Sequence, residues 1–557
     1  MRSFNTTGRC IPSRHYMVNI DEKLAQIKAM VDHGSYFVIN RARQYGKTTT
    51  LGCLADVLKE EYVVVSLDFQ KLSNAEFTDE KRFCLSFSKL FLRAVKNKKA
   101  EIQGLDAGII EILQKNADAR KIETLGQLFE LLSELCETAD RPIVLMIDEV
   151  DSASNNQIFL DFLAQLRGYY LDRDQAAAFH SVILAGVYDI KNLKLKIRPE
   201  EEHRFNSPWN TRESNEENES LLSFDDCSRD QMELAPFDIA ESFDVDMSFS
   251  VQGIAGMLFE YETDHHTGMS VLEIAQSIYD YTSGYPFLVS CICKTMDTMF
   301  ASGISDGFDV WSERGISEAV GKILRDRSTL FDSFSRQIDE YPEMRDMLKN
   351  ILFQGSRYSY NLYNEAINLS SMFGYIKNSN GSVAVSNRIF EMWLYNLFLS
   401  EDEMKDVTYE EAQRSQNQFI NNGKLDMDLV LQKFVAHFTD VYGQNDEEFL
   451  EKHGRKLFLL YLRPIINGTG HYYIEAETRD RDRTDVIVDY LGQQFIVELK
   501  IWRGAKYHAD GEQQLADYLD QYHLTKGYLL VFSFSKSKKV GVKEVSCGGK
   551  LLVEALV

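Results

Sequence analysis

Apolar and polar positions in the first 245 residues alternate between helical stretches and short, unbroken apolar runs. A helix, DEKLAQIKAMVDHG (21–34), leads into the strand YFVIN (36–40), then a polar turn and the helix KTTTLGCLADVLKEEY (47–62). VVVSLDF (63–69), IVLMID (143–148) and SVILAGV (181–187) are three more strands of the buried type. Apolar β-rich runs separated by helices predict a parallel sheet covered on both faces, an α/β nucleotide-binding architecture over residues 1–245. Within it, 198–226 is acidic and poor in apolar residues, which predicts a surface loop or insertion.

Residues 246–400 read as mainly helical, with a break at SGYP (283–286). Two short strands around an Asn-Ser-Asn-Gly turn after a helix suggest a helical lid followed by a winged-helix-like region. A polar stretch, 401–428, predicts a linker. The last segment, 429–557, returns to α/β, with strands YYIEAET, DVIVDY and QFIVELK, the helix EQQLADYLDQY and the strand GYLLVFSF. No repeat or low-complexity tract interrupts this order.

Composition narrows the class. A chain of 557 residues suggests three or four units at roughly 150 residues per domain. An apolar fraction of 44%, with 34 Phe and 27 Tyr, supplies material for packed cores. The net charge of −24 argues against a body coated in nucleic-acid-binding surface, though it leaves room for a local basic groove. The first residues lack a signal-like apolar core, and no run of 18 apolar residues occurs, so a cytoplasmic protein without a membrane partner is expected. The eight cysteines are scattered, with no C-x-x-C pair and no zinc-finger spacing; Cys291 and Cys293 read as helix core.

The chemistry concentrates at two places. RARQYGKTTT occupies the turn between the first strand and the next helix, the context in which G-x-x-x-x-G-K-[ST] cradles phosphate. Backbone N–H groups at a helix N-terminus favour anions. Gly46 allows close approach, Lys47 supplies a charge to the β/γ oxygens, and Thr48 offers a hydroxyl to Mg²⁺. Arg43, Gln44, Tyr45, Gly46, Lys47, Thr48 and Thr49 are the expected ATP-binding residues. The departure is Arg41, where the motif has its first Gly.

In RPIVLMIDEVD the pair Asp148-Glu149 follows a buried strand, so both carboxylates emerge at its C-terminal end, where open α/β sheets bind ligands. Asp148 is expected to hold Mg²⁺ through water, and Glu149 to polarise the attacking water as general base. A strand ending in a charged turn capped by Asp151 is the plainer alternative.

Together FNTTG, HYMV, INRARQYGKTTTL, LMIDEVD, AGVYDIKNLK and NSPWN resemble a bacterial family of AAA-like ATPases. In that family the phosphate loop carries the same Arg-for-Gly exchange, and a C-terminal nuclease-like domain of the PD-(D/E)XK superfamily is often fused. The resemblance implies a sensor near Asp189, a lid motif at Gly284 and Pro286, and a ring arginine, with Arg43, Arg167 and Arg204 as candidates. For Gly284 and Pro286 a plain helix break is an equal alternative.

The second site is also acidic. Asp485 opens RTDVIVDY, and Glu498-x-Lys500 closes QFIVELK, with Glu498 and Lys500 on one strand face. A hairpin around Leu491-Gly492 would bring the three together. Asp485 and Glu498 are expected to bind Mg²⁺, with Lys500 orienting the water or stabilising developing charge. This resembles the D…(D/E)-x-K core of the PD-(D/E)XK superfamily, with Thr484 where a Pro often stands. That resemblance implies accessory roles for Glu451 on the preceding helix and for Gln514 and Tyr518 on the following one. A surface E-x-K pair without function is the common alternative.

For nucleic acid, Lys536, Lys538, Lys539, Lys543 and Lys550, with Trp502, Arg503 and Lys506, form a candidate phosphate-contacting patch, or else a solvated basic face. The winged-helix-like stretch carries no Lys or Arg before Lys377, so a lid or protein-contact role is expected there. Three functions stand: ATP hydrolysis controlling a metal-dependent nuclease, a nucleotide-dependent switch that binds without cleaving, or a hydrolase of another substrate. No G-x-S-x-G elbow supports the third. A homo-oligomer is compatible with the first.

Overall fold

The computed structural model of the protein describes residues 2–96, 105–153, 156–187, 237, 239–303, 309–354, 356–401, 412–413, 416–421, 423–442, 447–466, 470–474, 484–502, 505–533 and 539–557. The insertion 198–226, Asp189 and Arg204 lie outside them. The chain divides into two units, one formed by Thr7–Ile11 and Asn19–Met247, the other by Met1–Thr6, Pro12–Val18 and Ser248–Val557.

In the first unit the predicted strands are all present: β1 (Tyr36–Asn40), β2 (Val63–Asp68), β3 (Ile143–Asp148) and β4 (Ser181–Gly186). They are parallel and ordered β1-β4-β3-β2. Phe37 also bridges in parallel to Glu241, so a further segment lies on the other side of β1. Their apolar runs are continuous because both faces are covered. On one face, Phe37, Ile39, Val144, Met146, Ile183 and Ala185 pack against helices α1 (Asp21–Asp32) and α2 (Lys47–Leu58). On the other, alternate residues such as Val38, Leu145, Ile147 and Leu184 meet α3 (Glu80–Lys96), α4 (Ala107–Asp118), α5 (Leu125–Thr138) and α6 (Gln157–Leu171). β2 stops at Asp68, one residue short of expectation, because its carboxylate caps the N–H of Gln70 and starts a 3₁₀ turn.

The second unit opens with helices α7 (Val251–His265), α8 (Val271–Thr282), α9 (Pro286–Ser302), α10 (Glu313–Arg325), α11 (Thr329–Glu340), α12 (Pro342–Gln354) and α13 (Glu365–Met372). The two strands expected around the Asn-Gly turn are present as β5 (Ile376–Ser379) and β6 (Ser382–Val385), with Asn380 and Gly381 at φ 49° and 83°. Helix α14 (Arg388–Ser400) follows. The stretch expected as a linker is folded at its C-terminal end: β7 (Ile420–Asn421) pairs with β8 (Lys424–Leu425), and Phe419 and Leu425 are buried. Phe419 packs edge-on against Tyr461, a contact that a few apolar residues in a polar stretch suffice to make.

The C-terminal sheet has six strands, β9 (Gly470–Ile474), β10 (Thr484–Tyr490), β11 (Gln493–Ile501), β12 (Lys526–Phe532), β13 (Gly541–Cys547) and β14 (Lys550–Leu556), ordered β13-β14-β12-β11-β10-β9. The helix Ala505–Gln521 begins earlier than expected. β13 was hidden because it is a polar, exposed edge strand whose lysines read as a basic patch, and its partner β14, although apolar, was not assigned either. That patch is partly neutralised: Lys543 lies 3.0 Å from Glu554, and Lys550 bonds Asp520 at 2.6 Å and the Leu524 carbonyl at 2.8 Å. Lys536, Lys538 and Arg503 fall outside the described residues. Buried Asp489 of β10 accepts hydrogen bonds from Tyr281 (2.8 Å) on α8 and Ser317 (3.2 Å) on α10. The helical region and this sheet fall within one unit, and Asp489 is one of the contacts between them.

Candidate functional sites

β1 ends at Asn40, and the chain turns through 41–46 into α2. Gln44 and Gly46 have positive φ (58° and 85°), and at 46 a side chain would be strained in that conformation. Gly46 caps α2 without a side-chain hydrogen bond, so the first N–H groups of the helix are left for an anion. Lys47 is only 7% exposed, and its ammonium donates to the carbonyls of Arg41 (2.8 Å) and Ala42 (3.0 Å), curling the loop around it. Burial lowers its pKa, against the pull of Asp151, Glu149 and Asp148.

Arg41 has a structural explanation. Its N–H donates to the Gly186 carbonyl at 3.2 Å. Its guanidinium donates to the carbonyls of Asn40, Phe243 and Val245 (3.0, 3.2 and 2.9 Å) and sits 5.1 Å from the Phe243 ring centroid. The side chain thus fastens the end of the first unit to the base of the loop, work a glycine there could not do.

Thr48 and Asp148 come together although β4 separates their strands. The Thr48 hydroxyl donates to Asp148 Oδ2 at 2.7 Å, and the Glu149 N–H to Asp148 Oδ1 at 3.0 Å. Glu149 is held at φ 55°, a strained position for a non-glycine residue. Burial raises the Asp148 carboxyl above its usual value, opposed by the Thr48 hydrogen bond. Burial and then the Asp148 charge raise Glu149. Asp151, the suggested cap, instead accepts from the Val187 N–H at 2.6 Å, bracing β4. A hydroxyl and a carboxylate side by side, next to a buried ammonium and open helix amides, match the hard oxygen donors that Mg²⁺ and a polyphosphate require. Two participants escaped the sequence reading. Asp68 faces Asp148 across the β2–β3 pair, signalled only by its place at a strand end. The Cys10 N–H donates to Thr49 Oγ1 at 3.0 Å, which no local pattern announces.

In the second unit, Gly284 has φ 72°, and a Cβ there would come within 2.0 Å of the Phe249 carbonyl. Pro286 is the first residue of α9. Both therefore have a packing role as a helix break.

At the C-terminal site the β10–β11 hairpin turns at Leu491 and Gly492 (φ 52° and 79°), which sets Asp485 opposite Glu498 in the antiparallel register. The side chain of Asp485 is outside the described residues, as is that of Glu451 on the helix Glu447–Ile466. Glu498 and Lys500 are not a surface pair. They are 1% and 6% exposed on an interior strand, and Lys500 Nζ lies 3.1 Å from Glu498 Oε1. Gly511 of the covering helix makes room, since a Cβ there would fall 2.0 Å from Lys500 Nζ. The implied accessory pair divides: Tyr518 is buried and donates to Tyr522 Oη at 3.3 Å, whereas Gln514 faces solvent.

No helix among the described residues is long and apolar enough to cross a membrane. No curated protein matches the chain. Solved structures similar to it include the Walker-type ATPase PABY2304 of Pyrococcus abyssi (12% identity, 70% of this chain and 99% of that one, TM-score 0.45). The RuvB Holliday junction branch migration motor of Thermotoga maritima follows (14%, 66% and 91%, 0.31). So does the Aeropyrum pernix ORC1 protein in complex with DNA (13%, 69% and 94%, 0.26). The AAA-like domain family matches residues 10–192, the span that holds the phosphate loop and the acidic pair. Residues 10–192 are an AAA-like domain with the parallel sheet of a P-loop NTPase.

Proposed function

We propose that the first unit binds ATP with Mg²⁺ and hydrolyses it. The observation that carries this is the Thr48–Asp148 hydrogen bond, which joins the phosphate loop to the acidic strand end at 2.7 Å. Thr48 and Asp148 would hold Mg²⁺, which when bound neutralises charge on the β/γ oxygens. Lys47, already desolvated, exchanges its two carbonyl partners for phosphate oxygens. The α2 amides and residues Arg43 to Thr49 line the phosphates. Glu149, its pKa raised by burial and by Asp148, accepts a proton from the attacking water more readily than an exposed carboxylate does. ATP turnover by Lys47→Ala and Glu149→Gln tests this; undiminished turnover in either variant overturns it.

The reading for the second unit is a metal-dependent nuclease of PD-(D/E)XK type controlled by the nucleotide state, with nucleic acid as partner. It is supported by the buried Glu498–Lys500 pair directly across from Asp485. Asp485 and Glu498 would hold Mg²⁺, and Lys500 would position the water. Incubation with DNA or RNA and Mg²⁺ or Mn²⁺, beside Asp485→Ala and Lys500→Ala, tests it. Cleavage surviving both substitutions would overturn it. Absence of cleavage with nucleic-acid binding retained would favour a nucleotide-dependent switch. A homo-oligomer, with an arginine from a neighbouring copy such as Arg43 or Arg167, belongs to the same proposal and is read from mass in solution with and without ATP.

A further inference from the structure

One row of residues crosses the C-terminal sheet. Glu498 of β11 pairs with Leu529 of β12, and Leu529 with Glu554 of β14, so the two glutamates share a sheet face with one leucine between them. Two strand spacings separate them, roughly 10 Å. That is far beyond the ~4 Å of a two-metal centre, so whatever surrounds Glu554 is a separate place.

Three groups converge there. Glu554 is 2% exposed. The helix Ala505–Gln521 presents His508 and Glu512, one turn apart, over it. His508 Nε2 lies 3.0 Å from Glu554 Oε2 and 3.6 Å from Glu512 Oε1, and the three ligand atoms all fall within 4.8 Å of one another. Ligands of a tetrahedral ion with bonds of about 2.0–2.1 Å stand roughly 3.3 Å apart, between those two separations. A second observation is independent of the clustering. His508 Nε2 and Glu554 Oε2 are buried, and their 3.0 Å approach lacks the alignment of a hydrogen bond. Two such atoms at that separation, with Glu512 beside them, have the spacing of ligands around one ion.

Lys543, on the exposed edge strand, brings its ammonium to 3.0 Å of the same Glu554 oxygen. The Lys543 side chain is 63% exposed and free to swing to solvent.

We propose that His508, Glu512 and Glu554 form a binding site for a divalent transition-metal ion of the Zn²⁺ or Mn²⁺ class, separate from both Mg²⁺ sites, with Lys543 as the cation it displaces. One nitrogen and two carboxylates suit these ions, and the helical His-x-x-x-Glu spacing supplies two ligands from one face. The bound ion ties β14 to the helix that carries Gly511 and abuts Lys500. Its binding raises stability by mass action.

The test is equilibrium dialysis of the chelator-stripped full chain against Zn²⁺, with metal counted per chain, beside His508→Ala, Glu554→Gln, Lys543→Met and Asp485→Asn. The parent and Asp485→Asn are expected to hold one Zn²⁺ that His508→Ala and Glu554→Gln each lose, with affinity down at least about 100-fold. Lys543→Met is expected to bind more tightly, a gain that misfolding does not produce. Trp502, whose ring centre is 4.8 Å from that of His508, reports occupancy by fluorescence. Equal Zn²⁺ content in the parent, His508→Ala and Glu554→Gln overturns the proposal, as does unchanged affinity in Lys543→Met. Loss of the ion in Asp485→Asn alone would place it at the nuclease site instead. Cleavage and Zn²⁺ content are read separately, so failure of the nuclease reading does not imitate failure of this one.

Discussion

The Thr48 hydroxyl and the Asp148 carboxylate, a hundred residues apart in sequence, share a hydrogen bond of 2.7 Å. Both oxygens are therefore aimed at the same small volume before any ion arrives. Thr48→Val keeps the shape and removes the oxygen. The expected outcome is loss of Mg²⁺-dependent ATP turnover by about 100-fold or more, with Thr48→Ser close to the parent. Steady-state phosphate release as a function of Mg²⁺ checks it; an unchanged Mg²⁺ dependence in Thr48→Val removes the hydroxyl from the site.

Arg41 gives a prediction that runs against motif logic. Restoring the expected glycine would delete three guanidinium-to-carbonyl hydrogen bonds and the contact with Phe243. Arg41→Gly should cost about 2–4 kcal/mol and weaken nucleotide binding rather than improve it. Urea unfolding of the full chain followed by fluorescence is the measurement, with Arg41→Lys expected in between.

Glu149, the proposed general base, makes stability depend on pH. Its folded-state pKa lies above the ordinary value, so the stabilisation belongs to the protonated form. That stabilisation is complete below the ordinary carboxylate pKa of about 4.3 and lost as pH rises through the elevated folded value. At neutral pH the charge is a burden, and Glu149→Gln should melt a few degrees higher, roughly 2–4 °C for each ~1 kcal/mol relieved. The gap should close as pH falls toward that ordinary value. A melting curve at several pH values decides it, since a pH-independent gap would exclude the charge as its cause.

Gly511 offers a way to move Lys500 without deleting it. A methyl group at 511 would occupy the place of the ammonium, displacing it from Glu498. Gly511→Ala should reduce nucleic-acid cleavage at least about tenfold while leaving ATP turnover intact, as expected for a group shifted from its productive position. A parallel loss of both activities would point to general unfolding.

How far the sequence carried can be judged residue by residue. β1 to β4 were legible because strands buried on both faces leave unbroken apolar runs. Lys47, Thr48 and Asp148 could be picked out because each sits in a short local pattern at a strand end, and the structure brings Thr48 and Asp148 into contact. The spatial order of the strands was not, since β4 inserts between two elements that the motif treats as a pair. Arg41 looked like a defect because its partners, Phe243 and Val245, lie two hundred residues away. For Glu498 and Lys500 a surface pair stood as the alternative, because a strand covered by a helix and one at the surface share the same alternation; only packing separates them. β13 was missed because an exposed edge strand has the composition of a loop.

The Cys10 N–H, bonded to Thr49 Oγ1, and Arg9, 3.2 Å from Asp56, lay segment 7–11 along the helix that begins at Lys47. A single hydrogen bond thus joins that segment to the first turn of the helix, beside the proposed phosphate site. If the proposed site binds nucleotide, a purification tag fused ahead of the segment, proteolytic trimming or alkylation of half-buried Cys10 is expected to change that affinity. Preparations differing only at their first dozen residues should therefore not be treated as equivalent samples.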